Sequence, residues 1–510
     1  MNLAILIIYF GILFLIGILS SKEIKNIEDY YVGGKKLGYW VVAFSTRATG
    51  ESAWLLLGLT GMGAIVGVSA FWVVVGEVIG VSVAWLLMAK RFKFLTDKYK
   101  SITVPDYLVS RFRAKSNTLR IIASTALAVF VVIYVSAQID ATGFAFEQFM
   151  GWNYYVGALV GFGIVVLYIF FGGFVAVALS DLFQGVLMFL GLFALPIVAY
   201  FMLDGDLSVG EKLHSIDPAL TNMWGKGGLT AMNLATIAGF LLIGLGFMGS
   251  PQLFVRFMAI KDEEEINKGR WVAIFFTILT DASAVCVGLL GRYLFVDADT
   301  LGKGGEDVLM MLVNYAMPTV LVGVYIAVVL SAIMSTIDSL LVVASSAIIR
   351  DFYQQIYNPD IKVENLTNIS RVVTIAMALF ALGIAMTVAL TTPDRTVFWF
   401  VIFGWSGIAA TFCPVIILSL FWKGYTEKGA IASMITGFLG VPIFKFVVPT
   451  LDGIGPYFKE LAELGPSFAL AMLVGVVVSK LAPDQELADI MEKTFKEDRT
   501  KEELDHLIKD

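Results

Sequence analysis

Long apolar runs separated by short polar stretches set the rhythm of this chain. They fall near residues 3–20, 38–64, 67–89, 120–147, 153–171, 174–203, 231–255, 271–296, 317–348, 369–391, 396–421, 429–449 and 466–480. Each is close to the roughly 20 residues that a helix needs to cross a bilayer, and in lipid only a helix or a closed barrel satisfies its own backbone. The pattern predicts an all-α polytopic membrane protein with about thirteen transmembrane helices. The first run, Leu3 to Leu19, lacks a basic leader and a small-residue cleavage site, so it reads as a retained span and not a signal peptide. An odd number of spans puts the termini on opposite sides. Lys22, Lys25, Lys35 and Lys36, the cluster Lys90 to Arg120, Arg256 to Arg270, Arg350 to Arg371, Lys423, Lys428 and the tail from Lys480 share one side and hold most of the 36 basic residues. The positive-inside bias makes that side cytoplasmic, with the N-terminus outside, the C-terminus inside and the cell membrane as the location.

Composition adds exclusions. At 58% hydrophobic and 15% charged over 510 residues, the chain is no soluble globule, and its partner is the lipid bilayer. The net charge of −6 carries little information, because acids and bases are segregated into loops and the tail; no nucleic-acid reading arises. Cys286 and Cys413 fall inside expected spans, where a small apolar side chain is useful and a disulfide framework is not. His214 and His506 lie in polar loop or tail context and read as surface histidines. The sequons at Asn365 and Asn368 fall on a loop placed inside. After Pro483, alternating Glu and Lys predict a short solvated helix without chemistry.

Two spans are interrupted. Ser45 to Thr60 carries Arg47, Glu51, Gly50 and several hydroxyls at membrane depth, where polar groups mark a site unless they face other protein. Arg47 and Glu51, four apart, share a face and can neutralise each other as a charge pair. The stretch Gly244–Gln252 interrupts a second span; a proline kink with glycines for close packing is the alternative. Interrupted helices at matching places in two halves point to a transporter's central site. The implied division is 1–37 for the first span and loop, 38–203 for one five-helix repeat, and 204–230 for an extracellular loop. A second repeat follows at 231–421, then two peripheral spans at 422–482 and a cytoplasmic tail at 483–510.

The ninth span holds Ser335, Thr336, Asp338, Ser339 and Ser346, a hard-oxygen set suited to an alkali or alkaline-earth cation. Serines that bond back to the preceding turn are the alternative. Asp338 and Asp181 are carboxylates at membrane depth that need a cation or a proton. Glu77, Asp140 and Asp281 are further intramembrane acids, each either a proton site or a counter-ion for Arg47. Tyr134, Ser136 and Gln138 give the fourth span a polar stripe, and Trp54 can pack over a small ligand or in the core.

The motifs Asp29-Tyr-Tyr-Val-Gly-Gly, Ser52-Ala-Trp-Leu-Leu-Leu-Gly-Leu, Ile102-Thr-Val-Pro-Asp-Tyr-Leu-Val-Ser-Arg-Phe, Gly172-Gly-Phe with Asp181 and Gln184, Pro251 with Arg256-Phe-Met-Ala, Met334-Ser-Thr and Thr426-Glu-Lys-Gly-Ala run from Asp29 to Gly429. Together they resemble the sodium:solute symporter family, and within it the bacterial sodium/proline symporters. The resemblance implies a leucine-transporter-type core of two inverted five-helix repeats, one span before it and two after, and sodium-driven uptake. It also implies a sodium site from the carbonyls of Ala48, Glu51 and Ala332 with the hydroxyls of Ser335 and Thr336. A second cation would fall at Asp181, Asp338 and Ser339 with Ser335. Substrate contacts would map to Ser52, Trp54, Tyr134, Phe247 and Pro251, with Gln138 added from the polar stripe. The chain departs from the proline carriers at Gly50, where they have an aspartate, at Glu51 and Arg47, and at Ile243, where they have a tryptophan.

The expectation is therefore a symporter that imports a small solute, proline or another small amino acid, by alternating access, with Na+ as the coupling ion. One alternative is a sodium- or proton-coupled importer of a small carboxylate or other organic solute. Another is a transporter-like sensor or channel, against which the absence of a long regulatory domain after Pro483 counts. An intramembrane enzyme would need a nucleophile with its base or a metal set, and the only two histidines lie off the membrane.

Overall fold

The computed structural model describes residues 2–21, 26–204, 207–361 and 363–509; side chains are described for these except at 2, 21, 27, 168–172, 363–365, 367 and 499–509. The Asn365 and His506 side chains thus lie outside the described ones. Among the described residues the chain is helical throughout, apart from turns and one bridge between Leu37 and Ile260.

Among the described residues, eleven stretches are long and apolar enough to cross a membrane, against the thirteen expected. The difference lies in two places. Tyr39–Lys98 counts as one stretch of 60 residues. As a straight helix it would be about 90 Å long, three times a bilayer core, and it turns at Gly67 (φ +67°). There a Cβ would lie 2.1 Å from the Leu220 carbonyl oxygen, so only glycine fits. Tyr154–Leu167 is apolar but short, and runs on into the next span through Gly173 (φ +54°).

We label the main helices α1 (Asn2–Ser21), α2 (Tyr39–Ala53), α3 (Thr60–Val66), α4 (Phe71–Val83), α5 (Thr118–Met150), α6 (Tyr154–Phe201), α7 (Pro251–Ala259), α8 (Glu263–Leu294), α9 (Thr319–Ser346), α10 (Val363–Thr391), α11 (Val397–Phe421), α12 (Glu427–Pro442), α13 (Leu464–Leu481) and α14 (Gln485–Lys509). From Tyr325 to Ser346 every residue of α9 is buried. A helix apolar and covered all round belongs at the centre of a bundle, and α9 packs on α1, α2, α5 and α6. By contrast α1 keeps a lipid-facing stripe of exposed Leu3, Ile7, Ile8, Leu15 and Leu19.

Glycines set the closest approaches between helices. A Cβ at Gly244 would lie 1.9 Å from the Gly76 carbonyl oxygen, and one at Gly80 would lie 2.0 Å from that of Gly244. Small residues let backbones meet in this way, and close contact takes the place of a hydrophobic driving force in lipid.

The tail differs from the solvated helix expected. α14 buries Leu487, Met491 and Thr494. Lys423 pairs with Glu492 at 2.7 Å, Arg91 with Asp498 at 3.3 Å and Lys98 with Glu497, while the Arg91 guanidinium stacks 4.2 Å from the Phe495 ring. The Glu–Lys alternation hid an apolar stripe that needs a surface to cover it.

Candidate functional site: two broken helices around buried oxygens

The first break falls at Ser52, two residues beyond Gly50. Its backbone (φ +45°, ψ −165°) lies in a region costly for a residue with a side chain. The groups freed by the break find partners. The Ala53 amide donates to Gln138 Oε1 (3.1 Å), the Trp54 indole N–H donates to the Gly50 carbonyl (3.1 Å), and the Ser52 hydroxyl lies 3.3 Å from that of Tyr134. Gly50 is required for space: a Cβ there would stand 2.8 Å from the Phe247 ring. The second break is a tight turn over Ile243–Met248, then Gly249 (φ +152°) and Pro251 at the first position of α7.

At the first break the carbonyls face α9. Ser335 Oγ is 3.0 Å from the Ala48 carbonyl and 3.2 Å from that of Ala332; Thr336 Oγ1 is 3.1 Å from those of Thr49 and Ala332. All five residues are fully buried or nearly so. Three carbonyls and two hydroxyls form a hard-oxygen cage of a kind that suits an alkali cation, the two contacts to Ala332 being bonds back to the preceding turn of α9. The Thr49 carbonyl joins this group, whereas the Glu51 carbonyl accepts the Trp54 amide.

Next to the cage, the chain's own cation stands where a second one was expected. The fully buried Arg256 places Nη2 2.8 Å from Asp181 Oδ2, 2.7 Å from Thr49 Oγ1 and 2.6 Å from Ser339 Oγ, with Nε 2.7 Å from Ser45 Oγ. Ser45 donates to Asp181 at 2.6 Å, and Ser339 lies 3.2 Å from Asp338. A second inorganic cation at Asp181 would meet a guanidinium already bonded to that carboxylate, so these residues in this arrangement do not fit one.

On the opposite side of α2, Arg47 bonds Glu51 and also Glu77 of α4 through Nη2. Asp281 of α8 completes the group: one carboxylate oxygen each from Glu51, Glu77 and Asp281 lie within 4.8 Å of one another. The Arg47 guanidinium lies 4.9 Å from the centre of the Phe247 ring.

Residues 30–437 match the family model described as the sodium:solute symporter family, which covers most of the chain. The chain belongs to this family. It is 34% identical over 478 residues to the high-affinity proline transporter PutP of Bacillus subtilis (strain 168), covering 93% of this chain and 97% of that one. It is 32% identical over 480 residues to the sodium/proline symporter 2 of Staphylococcus saprophyticus, covering 93% and 92%. Among solved structures it resembles a Na+-coupled sialic acid symporter in a substrate-bound outward-open state, with a TM-score of 0.77 at 20% identity over 94% of this chain and 98% of that one. Its fold is of the leucine-transporter type.

In this symporter-family chain the structure gathers Ser52, Trp54, Tyr134, Gln138 and Phe247 around the two breaks, all buried. Pro251 is buried as well, where it starts α7. Sequence reasoning missed Trp405 of α11. Its ring centre is 4.8 Å from that of Phe247 and 6.4 Å from that of Tyr134, and its N–H donates to the Ile243 carbonyl at 3.1 Å. An indole thus reaches the backbone at the second break. Arg256 was also missed, because it was counted with a cytoplasmic loop; its signal was the helix start at Pro251, which places it one turn inside. Asp140 stands apart: Arg395 Nη2 bonds it at 2.5 Å and Tyr154 donates to it at 2.5 Å, at the edge of a 470 Å³ cavity. Both cysteines are free thiols, and the His214 ring lies 2.9 Å from the Thr221 hydroxyl.

Proposed function

We propose that the protein is a sodium-coupled symporter that imports proline or another small amino acid by alternating access across the cytoplasmic membrane. The observation that carries this reading is the cage of Ala48, Thr49 and Ala332 carbonyls with the Ser335 and Thr336 hydroxyls, built where α2 breaks against the central helix. Oxygens bared by a helix break and closed off from water are the arrangement in which transporters of this fold bind a coupling ion. The names of the two bacterial relatives support proline and sodium as cargo. The basic residues support an N-terminus outside and a C-terminus inside, and the two broken helices support repeats over 38–203 and 231–421.

The test is counterflow in proteoliposomes. Labelled proline is exchanged against a panel of unlabelled amino acids and small carboxylates, with and without sodium. Sodium-dependent exchange of proline or a close analogue is expected. Exchange that ignores sodium, or that accepts only carboxylates without an amino group, refutes the assignment.

A further inference from the structure

The Arg47 group carries more negative charge than pairing requires. Three carboxylates surround one guanidinium, and all four side chains are fully buried. Arg256, the next buried cation, is committed to Asp181. Uncompensated charge in a water-poor membrane interior is costly, so the surplus acids call for protons or for a cationic group that is not part of the chain.

The unsatisfied atoms point the same way. Among the described residues, Glu51 Oε2, Glu77 Oε2 and Asp281 Oδ2 have no hydrogen-bond partner. Two donors at the break are also buried and unpartnered: Arg47 Nη1, 3.7 Å from where a Cβ of Gly50 would stand, and Gln138 Nε2, whose Oε1 holds the Ala53 amide. Open acceptors and open donors therefore flank the break at Ser52. That polarity complements a small zwitterion, with its ammonium toward the acids and its carboxylate toward Gln138 and Arg47.

Resting on the amino-acid reading above, we infer that Glu51, Glu77 and Asp281 form the subsite for the solute's ammonium group. The three carboxylate oxygens lie within 4.8 Å of one another, close enough for one ammonium group to bond all three. The Phe247 ring gives the subsite an apolar wall, packed against Trp405. The acids beside Gly50 supply negative charge from three helices, α2, α4 and α8.

The test compares competitors of sodium-driven proline uptake in proteoliposomes. Proline should compete, as should pyrrolidine at higher concentration, whereas N-acetylproline, whose nitrogen is neutral, should not. Asp281→Asn keeps the Arg47 bonds and should raise the KM for proline at least about tenfold, with a smaller change in kcat. It should also shrink the preference for proline over N-acetylproline by a similar factor, and Asp281→Glu should restore part of it. Glu77→Gln gives a second reading of the same preference. A purely structural cluster would change protein yield and melting without touching that preference.

Wild-type protein that accepts N-acetylproline as readily as proline, or that imports a solute lacking a basic nitrogen, overturns the subsite while sodium symport stands. A changed sodium requirement in Asp281→Asn with an unchanged preference would make the acids an inorganic cation site, and overturns it too. No sodium-driven uptake of any solute overturns the symport reading and this one with it. If neither variant accumulates in the membrane, Asp281→Glu and Glu77→Asp, which keep the charge and shift its position, are read for the KM of proline, and an unchanged KM in both overturns the subsite.

Discussion

Removing both hydroxyls from the cage isolates the sodium assignment. In Ser335→Ala with Thr336→Ala, the Ala48, Thr49 and Ala332 carbonyls remain, and two of five oxygens are lost. A hydrogen-bond-type contact to a charged partner is worth about 1.5–3 kcal/mol, so two such ligands give ~3 kcal/mol at the lower end. Water entering the vacated space offsets part of this. The expected rise in the sodium concentration for half-maximal uptake therefore lies between about tenfold and about a hundredfold, or ~1.4 to ~2.7 kcal/mol. Alanine suits a buried helix, so α9 should keep its packing, and the variant's melting temperature without sodium should stay near that of the parent. The assay is labelled-proline uptake over a sodium series at fixed ionic strength, with choline as replacement. An unchanged half-maximal sodium concentration in a well-expressed double variant would refute the cage as the coupling site.

Other expectations follow from the same geometry. Import of a neutral zwitterion with one sodium moves one charge, worth ~2.3 kcal/mol per 100 mV, so uptake should rise with an imposed inside-negative potential; indifference to the potential would point to exchange. Arg47→Ala leaves three buried acids without a base and should cost about 3–5 kcal/mol, read as loss of folded protein. Arg47→Ala with Glu51→Ala should recover part of the yield, and equal yields in the single and double variants would refute the pairing. Outside the spans, burial holds the Glu306 carboxyl at about 7, against the pull of the Val397 and Phe398 amides that it accepts. Because this pKa is raised, the stability it contributes is full below about 4.5 and is lost as pH rises through about 7. Melting of the wild type should thus fall between pH 5 and pH 8 more steeply than that of Glu306→Gln, and parallel curves would count against it.

The fold was legible because membrane spans announce themselves by length and apolarity. What periodicity could not supply was how the polar residues inside the spans sort among partners. Glu77, Asp140 and Asp281 look alike in sequence. Two of them join Arg47 and one joins Arg395, because glycine contacts such as Gly76–Gly244 fix which helix faces meet. The first break was legible to within two residues: Gly50 marked the place, but there the glycine makes room for Phe247, and the chain turns at Ser52. Thr49 and Trp405 escaped notice because their roles depend on a carbonyl direction and on a helix distant in sequence.

Arg256 has a thermodynamic consequence. A guanidinium bonded to Asp181 supplies a positive charge to its site but never leaves the protein, so it cannot draw on any gradient. Each sodium that crosses brings ~2.3 kcal/mol at 100 mV and about 1.4 kcal/mol more for a tenfold concentration difference. One ion per solute thus caps accumulation near a ratio of about 500, whereas a second travelling ion would square it. With that position held by a tethered charge, a carrier coupled to one ion would accumulate its solute less steeply than one coupled to two, and would need only one ion to arrive.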